Sequence, residues 1–358
     1  MNQGGEGARE HGGHRMGTDR PSLSLCMIVR DEAAELAKCL ASIAGVVEEI
    51  VVVDTGSADG TPALAAQYGA RVILHPWQDD FSAARNAALA EARGDWILVL
   101  DADEELEPAD RDRLRRLLVE APWDGGRLRI RNRQPQGELC AFQDLRITRL
   151  FRNRPSYRYE GIVHEQITPS IVRSGGTVGD AELTIHHHGY ARRSDRDASD
   201  RAKRNLRLLT RAIDATPDDP YLQYQYGATL KMVGAGLEAR QALERALRSG
   251  GDSLSGEALD LIHMKLAQLA LGEERLQDAI AHARASLTVR PENVLSLCVL
   301  GLAYLFGGDT ARALPALQAA RGMADGCLVN GDKLDAIVTY CHLQLRDGPR
   351  KERATPLS

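Results

Sequence analysis

Hydrophobic positions fall into two regimes along the chain. Up to about residue 105, short apolar runs alternate with segments of helical period. Leu23-Ser24-Leu25-Cys26-Met27-Ile28-Val29 is nearly continuous in apolar residues, the pattern of a strand buried on both faces. Glu32 to Ile43 follows with Leu36, Leu40 and Ile43 at helical spacing, and Gly45 stops it. Ile50–Val53, Arg71–Leu74 and Trp96–Leu100 are three further apolar runs, separated by helical segments at Thr61–Tyr68 and Ser82–Arg93 that end at Gly69 and Gly94. Strands alternating with helices of this length predict β-α-β units and a parallel sheet. After Pro122 the alternation changes. Arg127–Arg131 and Leu145–Phe151 alternate apolar with polar, so each reads as a strand with one wet face that completes the sheet.

From about Asp195 only helical periodicity remains, and it repeats. Gly227, Leu230, Ala239, Leu243 and Ala246 stand at offsets 8, 11, 20, 24 and 27 of a 34-residue unit. Ala267, Ala270, Ala279, Ala283 and Ser286 hold the same offsets, with Pro291 at offset 32, and Gly301, Tyr304, Ala313, Leu317 and Ala320 hold them again. An insertion of about six residues, placed at Gly250-Gly251-Asp252-Ser253, separates the first unit from the second. Small residues at offsets 8 and 20 let two antiparallel helices approach closely. This is the tetratricopeptide pattern, which forms concave surfaces suited to a peptide or partner protein.

The division of the 358 residues that follows is a tail at 1–20, an α/β domain at 21–192, a helical domain at 193–346 and a flexible end at 347–358. The tail holds too few apolar residues to offset its ordering entropy, and it has no apolar stretch of the kind a signal peptide carries. No run approaches the length of a membrane span. A net charge of −5 gives no general drive toward nucleic acid or an anionic membrane. Cys26, Cys39, Cys140, Cys298, Cys327 and Cys341 are widely spaced, with no C-x-x-C pair. That spacing argues against a disulfide scaffold or a structural zinc site and fits the reducing cytoplasm.

Open α/β sheets bind ligands at the carboxyl ends of their strands. Three polar clusters fall there: Arg30-Asp31-Glu32, Asp54-Thr55-Gly56-Ser57 and Asp101-Ala102-Asp103-Glu104. An Asp-x-Asp leaving an apolar strand presents two carboxylates that can share a hard cation such as Mg²⁺ or Mn²⁺. No glycine-rich phosphate loop follows the first strand, which disfavours NAD enzymes, P-loop ATPases and sugar nucleotidyltransferases. Arg146, Arg149, Arg152, Arg154 and Arg158 read as a solvated basic face, with contact to a diphosphate or an anionic acceptor as the alternative. Trp77 and Phe81 read as packing residues. In His186-His187-His188 only the outer two can share a face of a strand, so the run reads as a contact at the domain junction or site rim rather than a metal site.

Together these pieces resemble a family 2 glycosyltransferase of the GT-A fold. The matching segments are Ser24–Glu32, Glu49–Thr61, Phe81–Asn86 and Leu100–Glu104, with Gly161-Ile162-Val163-His164-Glu165 and His187–Tyr190 extending the likeness to about residue 190. One departure is Arg30-Asp31-Glu32 where many relatives have Lys-Asn-Glu. The subgroup resembled carries a tetratricopeptide-like domain and includes S-glycosyltransferases acting on peptides. The resemblance implies an inverting, metal-dependent transfer from a nucleotide-sugar, a UDP-sugar foremost, to a peptide or glycan acceptor. It implies that Asp54 accepts from the base, that Met27, Arg30 and Glu32 line the same pocket, and that Arg85 lies at the diphosphate. Asp101 and Ala102 would lie at the ribose and metal, and Asp103, Asp101 and His164 would hold Mn²⁺ or Mg²⁺. Glu165 would act as base, with His164 as the alternative. The helical domain offers a surface for a homodimer. The competing reading is a repeat-based binding scaffold on an inactive transferase sheet.

Overall fold

A computed structural model describes residues 20–133, 142–188, 195–250, 254–323 and 331–347. The expectations placed on the N-terminal tail, on Cys140 and Cys327, on Gly189-Tyr190 and on residues 251–253 and 348–358 lie outside the described residues.

The first half is a sheet of eight strands: β1 (Leu23–Val29), β2 (Glu49–Asp54), β3 (Arg71–Leu74), β4 (Trp96–Val99), β5 (Glu104–Leu106), β6 (Gly125–Arg133), β7 (Phe142–Arg152) and β8 (Val178–His187). Their spatial order is β3-β2-β1-β4-β7-β6-β8-β5. The first four are parallel, as expected for strands joined by helical crossovers. β7 then runs antiparallel to both β4 and β6. Helices α1 (Ala33–Ser42), α2 (Thr61–Gln67), α3 (Phe81–Glu91), α4 (Arg111–Glu120) and α5 (Thr168–Arg173) cover the sheet. Leu36 and Leu40 of α1 join Leu114 and Leu118 of α4 in the core on one face. Ala84, Ala88 and Leu89 of α3 join Ile171 of α5 on the other. With both faces covered, β1, β2 and β4 are buried almost throughout, which is why their sequences are unbroken apolar runs.

The sequence pattern did not reveal β5 or β8. β5 has only three residues, two of them glutamate, and its identity as a strand comes from antiparallel pairing with β8.

The second half is helical: α6 (Asp195–Ala215), α7 (Pro220–Met232), α8 (Gly236–Gly250), α9 (Gly256–Gly272), α10 (Leu276–Val289), α11 (Val294–Phe306), α12 (Thr310–Gly322) and α13 (Gly331–Asp347). The three repeat units are the hairpins α7–α8, α9–α10 and α11–α12. Asp219, Ser255 and Asn293 cap the first helix of each through a side-chain oxygen. The small residue at offset 8 has a steric reason in the first and third hairpins. A Cβ at Gly227 would stand 2.7 Å from Leu243 Cγ, and one at Gly301 would stand 2.5 Å from Leu317 Cγ. No described helix is long and apolar enough to cross a membrane, and the described cysteines, Cys26, Cys39, Cys298 and Cys341, are buried free thiols.

Candidate active site

Strand register assembles the site. β1 and β2 end together, with Val29 beside Asp54, and Cys26 pairs with Val99, so Asp101 leaves the sheet at the same rim. Arg85, on α3, is 8% exposed. Its Nη2 donates to Asp101 Oδ1 at 2.9 Å and its Nε to Glu165 Oε1 at 2.5 Å. Its guanidinium also lies 5.5 Å from the centre of the Tyr159 ring. One arginine therefore ties the loop after β4 to the His164-Glu165 loop, which lies far away in sequence.

Arg149 completes the arrangement, and here the expectation of a solvated basic run fails. Arg149 is buried, and its Nη2 donates to Asp101 Oδ2 and to Glu104 Oε1, each at 2.9 Å. It lies on β7, where alternation turns it into the site. The other arginines of the run serve elsewhere. Arg152 stacks on Trp96, Arg154 pairs with Asp124, Arg146 pairs with Glu182, and Arg158 donates to the Tyr157 carbonyl.

Burial by itself would raise the carboxyl of Asp101, but Arg149 and Arg85 overcome it and hold the group ionised, well below the usual carboxylate range. Burial has the upper hand at Glu104 and raises it despite Arg149, with Asp101 adding repulsion. Each oxygen of Asp101 accepts from one arginine, and the side chain stays 36% exposed.

Asp103 and His164 are the other two residues named for the cation. Asp103 is 8% exposed and lies 3.3 Å from His187 Nε2, while His187 Nδ1 meets Asn132 Oδ1 at 2.7 Å. Burial lowers the imidazole of His187, but Asp103 outweighs it and raises it above its ordinary value. On β8, His186 pairs with Glu107 and His188, just beyond the strand, with Glu105, and the outer two rings stack. The second residue is His164. Its Nε2 is buried without a hydrogen-bond partner, and burial pushes the ring below 6.5, opposed by Glu165, so at neutral pH it is the uncharged imidazole that metals require. Among the described residues no three His, Cys, Asp or Glu side chains converge on one point. Mg²⁺ and Mn²⁺ bound with substrate do not need such a cage. One or two protein ligands plus phosphate oxygens and water suffice, and a carboxylate such as Asp103 or a neutral imidazole such as His164 has the chemistry of such a ligand.

Arg85 Nη1, Arg149 Nε and the Tyr159 hydroxyl are likewise buried and unpartnered. Buried donors without partners are costly, and two of these atoms belong to the arginines that hold Asp101. Burial also pushes the Tyr159 hydroxyl up to about 12, so it stays a donor.

The remaining residues named from sequence lie outside this cluster. Both oxygens of Asp54 are turned into its own loop, accepting from the Gly56 and Ser57 amides and from the Ser57 hydroxyl. The Glu32 amide donates to Thr61, and Glu32 begins α1. Arg30 is exposed, and its nearest charge partner is Asp31 at 3.9 Å. Met27 and Ala102 are buried in the core. Arg149, Tyr159 and His187 were not singled out as site residues from the sequence. Their signal there is faint, because each stands in a segment whose strand or loop path only the tertiary fold defines.

A mixed sheet with acidic loops at its carboxyl rim, followed by helical repeats, defines a protein of the GT-A type with a tetratricopeptide domain. The sequence pattern "Glycosyl transferase family 2" matches residues 24–128. A TPR repeat-containing protein of Synechococcus elongatus is 36% identical over 292 residues, covering 76% of this chain and 67% of that protein. The chain carries a family 2 glycosyltransferase domain at residues 24–128 and belongs with the TPR repeat-containing relative that it matches over most of its length. The SPbeta prophage-derived glycosyltransferase SunS of Bacillus subtilis is 24% identical, covering 65% of this chain and 54% of SunS. The chain therefore spans about two thirds of the first relative and about half of the second. Among solved structures, S. aureus TarS 1-349 aligns with a TM-score of 0.41 at 12% identity, over 75% of this chain and 91% of that one.

Proposed function

We propose that the protein transfers a sugar from a nucleotide-sugar, with a UDP-sugar as the first candidate, to a peptide or glycan acceptor, with inversion at the anomeric carbon. The observation that carries this reading is a set of buried polar atoms without protein partners: Arg85 Nη1 and Arg149 Nε on the arginines that hold Asp101, Tyr159 OH on the ring beside Arg85, and His164 Nε2 next to the Glu165 that Arg85 binds. Three are hydrogen-bond donors, two of them on permanent cations, which suits the diphosphate of a donor. Asp103 and His164 would hold Mg²⁺ or Mn²⁺ there. When bound, the cation supplies Lewis-acid stabilisation of the departing diphosphate.

The chain's own residues perform the rest. Arg85 and Arg149 are fixed by Asp101, Glu104 and Glu165 before substrate arrives. They lower the barrier because negative charge on the leaving diphosphate grows as the sugar–phosphate bond breaks. As the acceptor atom attacks the anomeric carbon, its proton passes to Glu165. One oxygen of Glu165 is held by Arg85, which leaves the other for the acceptor. The repeats would present a polypeptide acceptor or partner, and a homodimer through them is compatible with this role.

Thermal shift with UDP, GDP and dTDP, with and without Mn²⁺, tests the reading. Saturation at a hundred times the dissociation constant adds about 2.7 kcal/mol of stability, and UDP with Mn²⁺ is expected to give the largest shift. Absence of any shift, together with absence of donor hydrolysis across a panel of nucleotide-sugars, would remove the proposal.

A further inference from the structure

His164 adopts φ +53°. Side chains other than glycine seldom occupy this left-handed region, and they persist there only where the surroundings over-determine the backbone. The loop carrying His164 and Glu165 is held on one side by α3. The Phe81 amide donates to the Ile162 carbonyl at 3.0 Å, the Ser82 hydroxyl donates to the Gly161 carbonyl at 2.6 Å, and Arg85 holds Glu165. On the other side stands the helical domain. Val163, next to His164, is 2% exposed and packs with Leu208 and Leu209 of α6, both fully buried. Tyr221 of α7 stands beside Gln166. Nearby, Arg207 of α6 makes a two-pronged contact with Asp79 at 2.6 and 2.7 Å, and the Arg204 guanidinium lies over the Phe81 ring at 5.2 Å.

We infer that the first helix of the repeat domain is a working part of the transferase centre: Leu208 and Leu209 clamp Val163 and so hold His164 and Glu165 where the chemistry needs them. They are positioning residues, because they reach the reacting atoms only through Val163. The inference rests on the transferase reading, and it makes the two domains one catalytic unit. A displacement of about 1 Å in such a loop is enough to cost on the order of a hundredfold in rate, whereas nucleotide contacts made by Arg85 and Arg149 do not run through α6.

The test uses the full chain with Leu208→Ala and the conservative Leu208→Met. Donor hydrolysis, UDP binding with and without Mn²⁺, and hydrogen exchange of the amides of residues 160–166 are measured in each. Leu208→Ala is expected to lower kcat at least tenfold, to weaken UDP binding with Mn²⁺ while leaving UDP binding without metal within twofold of the parent, and to speed exchange in the loop. Leu208→Met is expected to restore all three. A folded Leu208→Ala protein with parental kcat, or with unchanged loop exchange, overturns the clamp. If Leu208→Ala unfolds, Arg207→Ala at the protein surface carries the same expectation in smaller degree, and unchanged loop exchange there overturns it equally. Should the parent hydrolyse no donor, the transferase reading fails, and the exchange measurement alone decides whether α6 holds the loop.

Discussion

At the sheet rim the buried side chains are arginines and carboxylates wired into one cluster, whereas in the helical repeats they are chiefly alanine, glycine and leucine in close contact. The rim retains unpartnered buried donors beside its ion pairs. The repeats bury a polar joint of their own, in which Asp260 accepts from Ser286 and Asn293 and pairs with Arg290 at 2.9 Å. Burying charge costs several kcal/mol per ion and is recovered only with good geometry, while packing small side chains into a hairpin costs little and adds contact. A region selected for stability alone would follow the second course throughout. The rim follows the first, which is the expected signature of a place shaped for a ligand.

The largest expected effect separates these two regions by activity. Asp103→Asn should lower metal-dependent donor turnover on the order of a hundredfold or more, since Lewis-acid stabilisation contributes several kcal/mol. Turnover equal to the parent would take Asp103 out of the mechanism and weaken the contrast. Next comes Arg149→Ala, which leaves Glu104, 2% exposed, as a buried carboxyl without its counter-charge. A loss of about 3–5 kcal/mol is expected in denaturant unfolding, and a loss under 1 kcal/mol would show that the rim charges are better solvated than their burial implies.

Gly301→Val probes the other region. Its Cβ would press on Leu317, and overpacking of this kind costs about 1–3 kcal/mol, with donor hydrolysis unaffected. Unchanged stability would mean that the hairpin has slack. The smallest effect concerns the repeats' own titratable pair. His263 and His282 face one another with their Nδ1 atoms 3.1 Å apart. Burial lowers both rings, more than Asp260 near His263 or Asp278 and Glu244 near His282 can offset, and each His263–His282 contact disfavours a second charge. The unfolded chain therefore takes up protons at a higher pH than the folded one. Stability is retained above the ordinary imidazole value of about 6.5 and lost as pH falls through it. His282→Gln should flatten melting temperature against pH between 7 and 5, and an unaltered slope would place the acid sensitivity elsewhere.

Much of this organisation could be read along the chain. The alternation of apolar runs with helices gave the parallel half of the sheet, and offsets of glycine, alanine and leucine gave the repeat hairpins, because both depend on local periodicity. Asp101, Asp103, Arg85, His164 and Glu165 were legible through their place at strand ends and by family likeness. Arg149 was not, since an arginine on an alternating strand reads as solvated until β7 is known to lie beside β4. Nor was the small strand β5, which exists only through its pairing with β8.

By itself, then, the sequence determined which segments would be the parallel strands, the crossover helices and the repeats, and which rim would collect acidic residues, because each is set by spacing within a few residues. Tertiary structure alone decided that Asp101 would be held by two arginines, that His164 would be left with a bare imidazole nitrogen, and that Leu208 and Leu209 would press on the loop beside it. These are contacts between residues tens of positions apart, and burial, the quantity that sets their charge and cost, is defined only once the layers have packed.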